Sequence, residues 1–244
     1  MNRDAEASQS TIHDFPIRDK RIFITGATNG VGRSLLKISL NNGAIVTAHG
    51  RSEEKMETLL HDLDRSFSGV AADLRNRDEW PKVEAAIIAQ SPDILILNAG
   101  YNCGKKPVSE WTDSEIFDMY NANLLANIFF IRAFTRQLKC TVGKSVTIVL
   151  SAACFYPREN MGLYNSAKFA LMGFGKTMQQ EALHGGVKTV LFYPGRVNSG
   201  FRETPNEKYM SSDSVAHSIL SILSLPGDVV PNEFVFRPEG DHFY

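Results

Sequence analysis

The chain has 244 residues, 43% of them hydrophobic and 22% charged, which are ordinary values for a globular protein with a sizeable core. A formal net charge of −1 gives no electrostatic reason to expect a nucleic-acid or membrane partner. No apolar run approaches the roughly 20 residues of a membrane helix, and the first fifteen residues are too polar for a secretory signal. Three scattered cysteines, and six histidines without ligand spacing, favour a cytoplasmic protein with reduced thiols and no metal.

Residues 1–19 are predicted to form a flexible leader, and after it short apolar runs alternate with longer helix-compatible stretches. Most of the runs are continuously apolar and β-branched, which is typical of strands buried on both faces. The pattern predicts one doubly wound α/β domain over 20–244, with a mainly parallel seven-stranded sheet and helices on both faces. The predicted strands are 21–25, 44–48, 69–72, 93–97, 145–150, 187–193 and 233–236, and the predicted helices are 31–42, 53–64, 77–90, 112–139, 163–184 and 212–224.

A glycine-rich turn joins the first strand to the first helix. Glycines here would let the backbone approach a pyrophosphate, and the helix N-terminus would present free N–H groups to it. The spacing is GxxxGxG and not GxGxxG, so a turn that merely begins a helix stays an alternative. The turn residues predicted to bind a dinucleotide are Gly26, Thr28, Asn29, Gly30, Val31 and Gly32.

The second predicted strand is followed by Gly50, Arg51 and Ser52. A site specific for NAD would place an acid near here for the ribose 2′-hydroxyl. Arg51 instead offers a guanidinium suited to a 2′-phosphate, which predicts NADP(H). Ser52 could add a hydroxyl or cap the helix at Glu53, and Arg51 could be an ordinary surface arginine.

The third and fourth strands end in polar or small residues at the edge where ligands of open α/β sheets bind. Asp73 could accept a hydrogen bond from an adenine amino group or cap a helix, and Leu74 is included in the cofactor site. Asn98 could support the sheet edge, while Ala99 and Gly100 would allow close approach of the adenosine; alternatively, the three form a turn.

Tyr164 and Lys168 begin a predicted helix at positions i and i+4, so both side chains lie on one face. Carbonyl reduction needs a proton donor and alcohol oxidation a base. A phenol ionises near pH 10, and a neighbouring ammonium favours the phenolate. Ser151 ends a predicted strand thirteen residues earlier and could bind the same substrate oxygen, while Pro194-Gly195 could meet the nicotinamide carboxamide.

With these motifs in order, the chain resembles the short-chain dehydrogenase/reductase family in its compact form of about 250 residues. The resemblance extends from Lys20 to the C-terminus. The matching positions are Gly26, Gly30, Gly32, Asp73, Asn98-Ala99-Gly100, Asn123, Ser151, Tyr164, Lys168 and Pro194-Gly195. His49, before Gly50, is assigned no role.

The resemblance implies a catalytic tetrad. Tyr164 would be the acid/base and Ser151 would orient the substrate oxygen. Lys168 would hold the nicotinamide ribose and favour the phenolate, and Asn123 would position a water for proton relay. Val197 and Ser199 complete the predicted cofactor site, with Ser199 where the family commonly has threonine. The family also implies transfer from the B face of the nicotinamide and a homo-oligomer, a tetramer or dimer.

The leading hypothesis is therefore an NADP(H)-dependent ketone reductase or alcohol dehydrogenase acting on a small molecule. The alternative is a non-catalytic NADP(H)-sensing regulatory protein with the same fold. A third, a sugar-nucleotide epimerase or dehydratase, normally has a longer C-terminal substrate domain.

The substrate pocket is predicted to hold a mixed aromatic and basic set of side chains, compatible with cyclic, aromatic or acidic ketones. Its predicted members are Tyr101, Cys103, Phe155, Arg158, Met161, Tyr193, Arg196 and Phe201. The stretch 199–211 lacks periodicity, contains Pro205 and Asn206, and is predicted to be a loop. By the family resemblance this loop would be a substrate lid.

Overall fold

The computed structural model describes residues 16–63, 66–200, 206–226 and 228–239. Most of the predicted leader lies outside these ranges. Its last residues are described, and Ile17, only 1% exposed, packs in the core. Asp19 also donates its backbone N–H to the carbonyl of Gly43, at 2.9 Å. Part of the predicted leader, at Ile17 and Asp19, therefore packs against the domain.

The described residues form one seven-stranded sheet, whose strands are β1 (Arg21–Thr25), β2 (Ile45–Gly50), β3 (Ser68–Ala71), β4 (Ile94–Leu97), β5 (Ser145–Val149), β6 (Lys188–Pro194) and β9 (Glu233–Phe236). Their order is β3-β2-β1-β4-β5-β6-β9, and every neighbouring pair is parallel. The predicted doubly wound α/β fold is confirmed. Two further short strands, β7 (Val197–Asn198) and β8 (Met210–Ser211), pair with each other.

Helices cover both faces of this sheet and enclose two apolar clusters. One cluster lies under α1 (Gly30–Asn41), α2 (Glu53–Asp62) and α7 (Ser212–Leu223). The other lies under α3 (Trp80–Gln90), α5 (Ala126–Arg136) and α6 (Gly162–Ala182). Because each central strand contributes to both clusters, its sequence is continuously apolar. Within the described ranges, no helix combines the length and apolarity needed to cross a bilayer.

The C-terminal ends of β2 and β5 differ from the prediction. β2 continues two residues beyond Ala48, since His49 and Gly50 pair with Val70 and Ala71 of β3. β5 stops at Val149, so Ser151 lies just beyond the strand. The hydrophobic pattern locates strand ends only to within one or two residues, because side-chain type does not determine which backbone groups pair.

Two predicted helices are interrupted. The region 77–90 begins as a 3₁₀ turn (Arg77–Glu79) before α3, whose first turn contains Pro81. The region 112–139 divides into α4 (Asp113–Tyr120), a π-helical turn (Asn121–Leu125) and α5. The sequence analysis treated the whole region as one helix and did not anticipate the π turn, a feature that is often found at functional sites.

Candidate active site

The carboxyl ends of the central strands border a cleft of 560 Å³. In parallel sheets these ends meet at one edge, where ligands bind. Most of the predicted site residues line this cleft, namely Gly26, Thr28, Asn29, Gly30, Val31, Arg51, Asp73, Leu74, Asn98, Ala99, Gly100, Ser151, Tyr164, Lys168, Pro194, Gly195, Val197 and Ser199. Gly32, Ser52 and Asn123 do not border the cleft.

Two glycines of the turn stand where any side chain would collide with neighbouring backbone. A Cβ on Gly32 would lie 2.0 Å from the carbonyl oxygen of Gly26, and one on Gly30 would lie 2.4 Å from that of Ser199. Asn29 caps α1 by accepting a hydrogen bond from the N–H of Gly30, at 2.8 Å. The backbone here is compact and ends in the N-terminus of a twelve-residue helix. This arrangement fits the pyrophosphate of a dinucleotide.

Asn98 supports this turn from the neighbouring strand. Its side-chain amide donates to the carbonyls of Thr25 and Gly26, both at 3.2 Å. The Thr25 hydroxyl accepts in return from the backbone N–H groups of Asn98 and Ala99, both at 3.0 Å. Asn98 therefore supports the sheet edge, which is one of the two roles that the sequence left open for it.

His49 also supports the turn, a contribution that the sequence did not reveal. It is 2% exposed, and its Nδ1 accepts from the N–H of Gly26 at 3.3 Å. Its Nε2 lies 3.0 Å from the carbonyl of Ala72 and must therefore carry the proton. Burial lowers the pKa of His49 to about 4, so the ring is neutral and links β1, β2 and β3 at the cleft.

Two cations lie at the end of β2 and the start of α2. Arg51 and Lys55 are exposed and both line the cleft. Ser52 instead caps α2, since its hydroxyl accepts from the N–H of Lys55 at 3.4 Å. Ser52 thus takes the helix-capping role, which the sequence had left open as an alternative to binding the cofactor. Lys55, like Arg51, is a cation able to bind a phosphate.

Asp73 lines the cleft but is already engaged by a nearby arginine. The Arg75 Nε lies 3.0 Å from each carboxylate oxygen, and the Arg75 guanidinium stacks 5.2 Å from the Tyr101 ring. The hydrogen bonds from Arg75 lower the pKa of Asp73 below its usual value, despite partial burial. Asp73 is therefore ionised and can accept from a ligand, with Arg75 as a further wall residue. Among the described residues, no group of three His, Cys, Asp or Glu side chains could hold a metal.

Tyr164, Lys168 and Ser151 meet at the other end of the cleft. Tyr164 is 9% exposed, and the Lys168 Nζ lies 5.9 Å from its ring centroid. Lys168 is 3% exposed, donates to the carbonyl of Val149 at 3.1 Å, and has a pKa that burial lowers to about 8. Ser151 begins a 3₁₀ turn (Ala152–Cys154) by accepting from the N–H of Ala153 at 3.1 Å. A phenol, an ammonium and a hydroxyl therefore face one space.

Asn123 lies in the π-helical turn and is fully buried. Its side chain donates to the carbonyl of Tyr101 at 2.8 Å and accepts from the N–H of Tyr101 at 3.1 Å. These bonds attach the segment after β4 to the helix that flanks α6. In this structure Asn123 holds the cleft wall, and the water relay implied by the family resemblance stays a prediction.

Only part of the predicted substrate pocket borders the cleft. Tyr101, Arg158 and Met161 line it, whereas Cys103, Phe155, Tyr193 and Arg196 do not, and Phe201 lies outside the described residues. Tyr193 is fully buried, because its place in β6 turns it into the core, where its hydroxyl donates to Glu233 at 2.6 Å. The cleft instead includes side chains that the sequence analysis missed, namely Lys55, Arg75, Asn102, Lys105, Tyr156 and Arg237.

The predicted lid is described only at its ends. Ser199 and Gly200 line the cleft, while 201–205 lie outside the described residues. The far end is not a loop, because Met210–Ser211 forms β8 against β7. Asn198 fixes Asn206 with two hydrogen bonds, at 2.8 and 3.0 Å. The lid function stays a prediction.

Comparison with known families agrees with this geometry. The family model described as short chain dehydrogenase matches residues 20–210, so the chain belongs to the short-chain dehydrogenase family, a family of oxidoreductases. The resemblance stated from the motifs is confirmed.

Three similar proteins share less than a third of their aligned residues with this chain. The chain is 30% identical over 198 residues to a 3-dehydrosphinganine reductase of Arabidopsis thaliana, covering 77% of this chain and 58% of that protein. It is 28% identical over 243 residues to a serine 3-dehydrogenase of Agrobacterium fabrum, covering 91% and 95%. Its fold is similar to an alcohol dehydrogenase of the archaeon Thermococcus sibiricus, with TM-score 0.80, 23% identity and coverage of 90% and 97%.

Proposed function

We propose that the protein is an NADP(H)-dependent oxidoreductase that interconverts a small ketone and its alcohol, acting as a carbonyl reductase. One observation carries this proposal: a single cleft joins the glycine turn and Arg51 to Ser151, Tyr164 and Lys168. This shared cleft supports the proposal, because a dinucleotide and a substrate bound there together could exchange a hydride and a proton.

The residues divide the chemistry between them. When bound, the nicotinamide supplies or accepts a hydride at the substrate carbon. Ser151 and Tyr164 hold the substrate oxygen, and during reduction the Tyr164 phenol gives it a proton. The Lys168 ammonium favours the phenolate that remains. Because Lys168 is buried beside this phenol, its charge acts with little screening by solvent.

The preference for NADP(H) rests on Arg51 and Lys55, which give the end of β2 two positive charges where an NAD site needs an acid. The similar archaeal alcohol dehydrogenase was described in complex with 5-hydroxy-NADP. The relatives are named as dehydrogenases and reductases, which does not favour a non-catalytic sensor. A single domain over 20–244, a homo-oligomer and a cytoplasmic location stay predictions from the sequence.

The substitution Tyr164→Phe tests the chemistry. It removes the proton donor but keeps the ring, so NADPH oxidation with a panel of ketones should fall about 10²- to 10⁴-fold, with little change in the Kd of NADPH. Tyr193→Phe is the matched control, because its hydroxyl bonds Glu233 outside the cleft. Near-native turnover of Tyr164→Phe, under conditions where chemistry limits the rate, would contradict the assignment.

A further inference from the structure

Asp73 lies at the end of the cleft where the purine base of the dinucleotide would bind. It is the only acid among the described residues that line the cleft, and it follows β3, the strand next to β2. Hydrogen bonds from Arg75 and, to a smaller extent, the charge of Arg51 lower the pKa of Asp73, so Arg51 lies near this carboxylate. If Arg51 binds the 2′-phosphate, the base on the same ribose comes within reach of Asp73.

Arg75 holds the carboxylate of Asp73 with three N–H groups. The backbone N–H of Arg75 donates to Oδ1 at 3.0 Å, its Nε donates to both oxygens at 3.0 Å, and its Nη2 donates to Oδ2 at 2.5 Å. A carboxylate has about four acceptor positions, so these donors leave room for one N–H group of a ligand. Because Arg75 fills the other positions, it decides in which direction the remaining one points.

Arg75 is itself held by two other elements of the cleft wall. Its carbonyl accepts from the side chain of Asn121, in the π-helical turn, at 2.9 Å. Its guanidinium carbon lies 5.2 Å from the ring centroid of Tyr101, in the segment after β4. Both backbone groups of Tyr101 are bonded in turn to Asn123 of the same π-helical turn. The orientation of the Arg75 guanidinium is therefore set by packing between distant segments of the chain.

The backbone around Asp73 has contacts that do not involve the Arg75 side chain. The N–H of Asp73 donates to the carboxylate of Glu79 at 3.0 Å. The indole N–H of Trp80 donates to the carbonyl of Leu74 at 2.9 Å, and Trp80 is only 2% exposed. These contacts keep the loop in place when the Arg75 side chain is replaced, so a variant of Arg75 tests the orientation of the carboxylate.

We propose that Arg75 is a positioning residue that makes the cofactor site select an adenine base. It directs the remaining acceptor position of Asp73 toward the exocyclic amino group of adenine and does not itself bind the base. Hypoxanthine carries an oxo group in place of this amino group, so it presents an acceptor where Asp73 needs a donor and binds more weakly. The inference rests on the proposed function, because it concerns the base of the proposed NADP(H).

The test compares NADPH with its reduced hypoxanthine analogue, which differs only in the base. The Kd of each is measured by nucleotide fluorescence on the ligand-free protein. The wild type should bind NADPH about ten- to a hundredfold more tightly than the analogue, the effect of a hydrogen bond to a charged group. Arg75→Met should lower this ratio about three- to tenfold, because Asp73 loses its fixed orientation, and Arg75→Lys should restore part of it.

Two further variants separate the role of Arg75 from other effects. Arg77→Met is the matched control and should leave the ratio unchanged, because Arg77 is an exposed arginine of the same loop that does not line the cleft. Asp73→Asn should bring the ratio close to one, because the asparagine amide can donate to the oxo group of hypoxanthine.

Three results would overturn the inference. One is a wild-type ratio near one with tight binding of both nucleotides. Another is an Arg75→Met variant that weakens both nucleotides equally, as general damage to the site would. The third is a ratio that Asp73→Asn abolishes and Arg75→Met leaves intact, which would assign the base contact to Asp73 without help from Arg75. Failure of the wild type to bind NADPH at all would overturn the proposed function, and this inference with it.

Discussion

Replacing Lys168 by methionine should change how the stability of the ligand-free protein depends on pH. Burial lowers the pKa of Lys168 from 10.5 to about 8, so folding below pH 8 includes the cost of a buried charge. Between pH 8 and 10.5 the unfolded chain keeps a proton that the folded protein has released. The free energy of unfolding therefore rises with pH in this interval, and the cost is gone above pH 10.5.

The size of the effect follows from the same values. A pKa difference of one unit between the folded and the unfolded protein corresponds to about 1.36 kcal/mol, so the full cost of burying the charge is about 3 kcal/mol. About 2.5 kcal/mol of this cost is relieved between pH 7 and pH 10. The lost hydrogen bond to Val149 lowers the stability of Lys168→Met by an amount that does not depend on pH. The difference in free energy of unfolding between wild type and Lys168→Met should therefore vary with pH, while the contribution of the lost hydrogen bond stays constant.

The assay is urea unfolding of both proteins at pH 7, 8, 9 and 10 without cofactor. The free energy of wild type relative to Lys168→Met should rise by about 2.5 kcal/mol over this range. Lys37→Met, an exposed lysine on α1, serves as the matched control and should run parallel to the wild type. Parallel curves for wild type and Lys168→Met would refute the reasoning, because they would mean that burial does not penalise this ammonium.

Two further predictions concern the cofactor end of the cleft. Arg51→Ala should raise the Kd of NADPH about ten- to a hundredfold and leave that of NADH nearly unchanged, with Lys55 limiting the loss; equal losses in titrations of both cofactors would contradict the 2′-phosphate assignment. Since burial lowers the pKa of His49 from 6.5 to about 4, the wild type should lose about 3 kcal/mol of stability as pH falls from 7 to 4. Urea unfolding should find this loss absent in His49→Gln, and an identical acid profile would show that His49 does not cause it.

The sequence predicted the sheet, and most of the residues that it assigned to the site lie along one cleft, because both depend on local signals. Buried parallel strands must be continuously apolar, so their positions are visible without tertiary information. Tyr164 and Lys168 meet because helical spacing puts positions i and i+4 on one face. Gly26, Asn98 and Ser151 follow strands whose carboxyl ends share one edge, so a common cleft could be anticipated from topology alone.

The tertiary structure decided which side chains face the cleft and which support it. Tyr193 was predicted in the substrate pocket, but its alternation within β6 directs it into the core. His49 links three strands, and such a bridge depends on pairing between segments far apart in the chain. Arg237 reaches Tyr156 across 81 residues of sequence because β9 pairs with β6. Motif spacing records neighbours along the chain, whereas these contacts arise from strand register and packing, which no local pattern encodes.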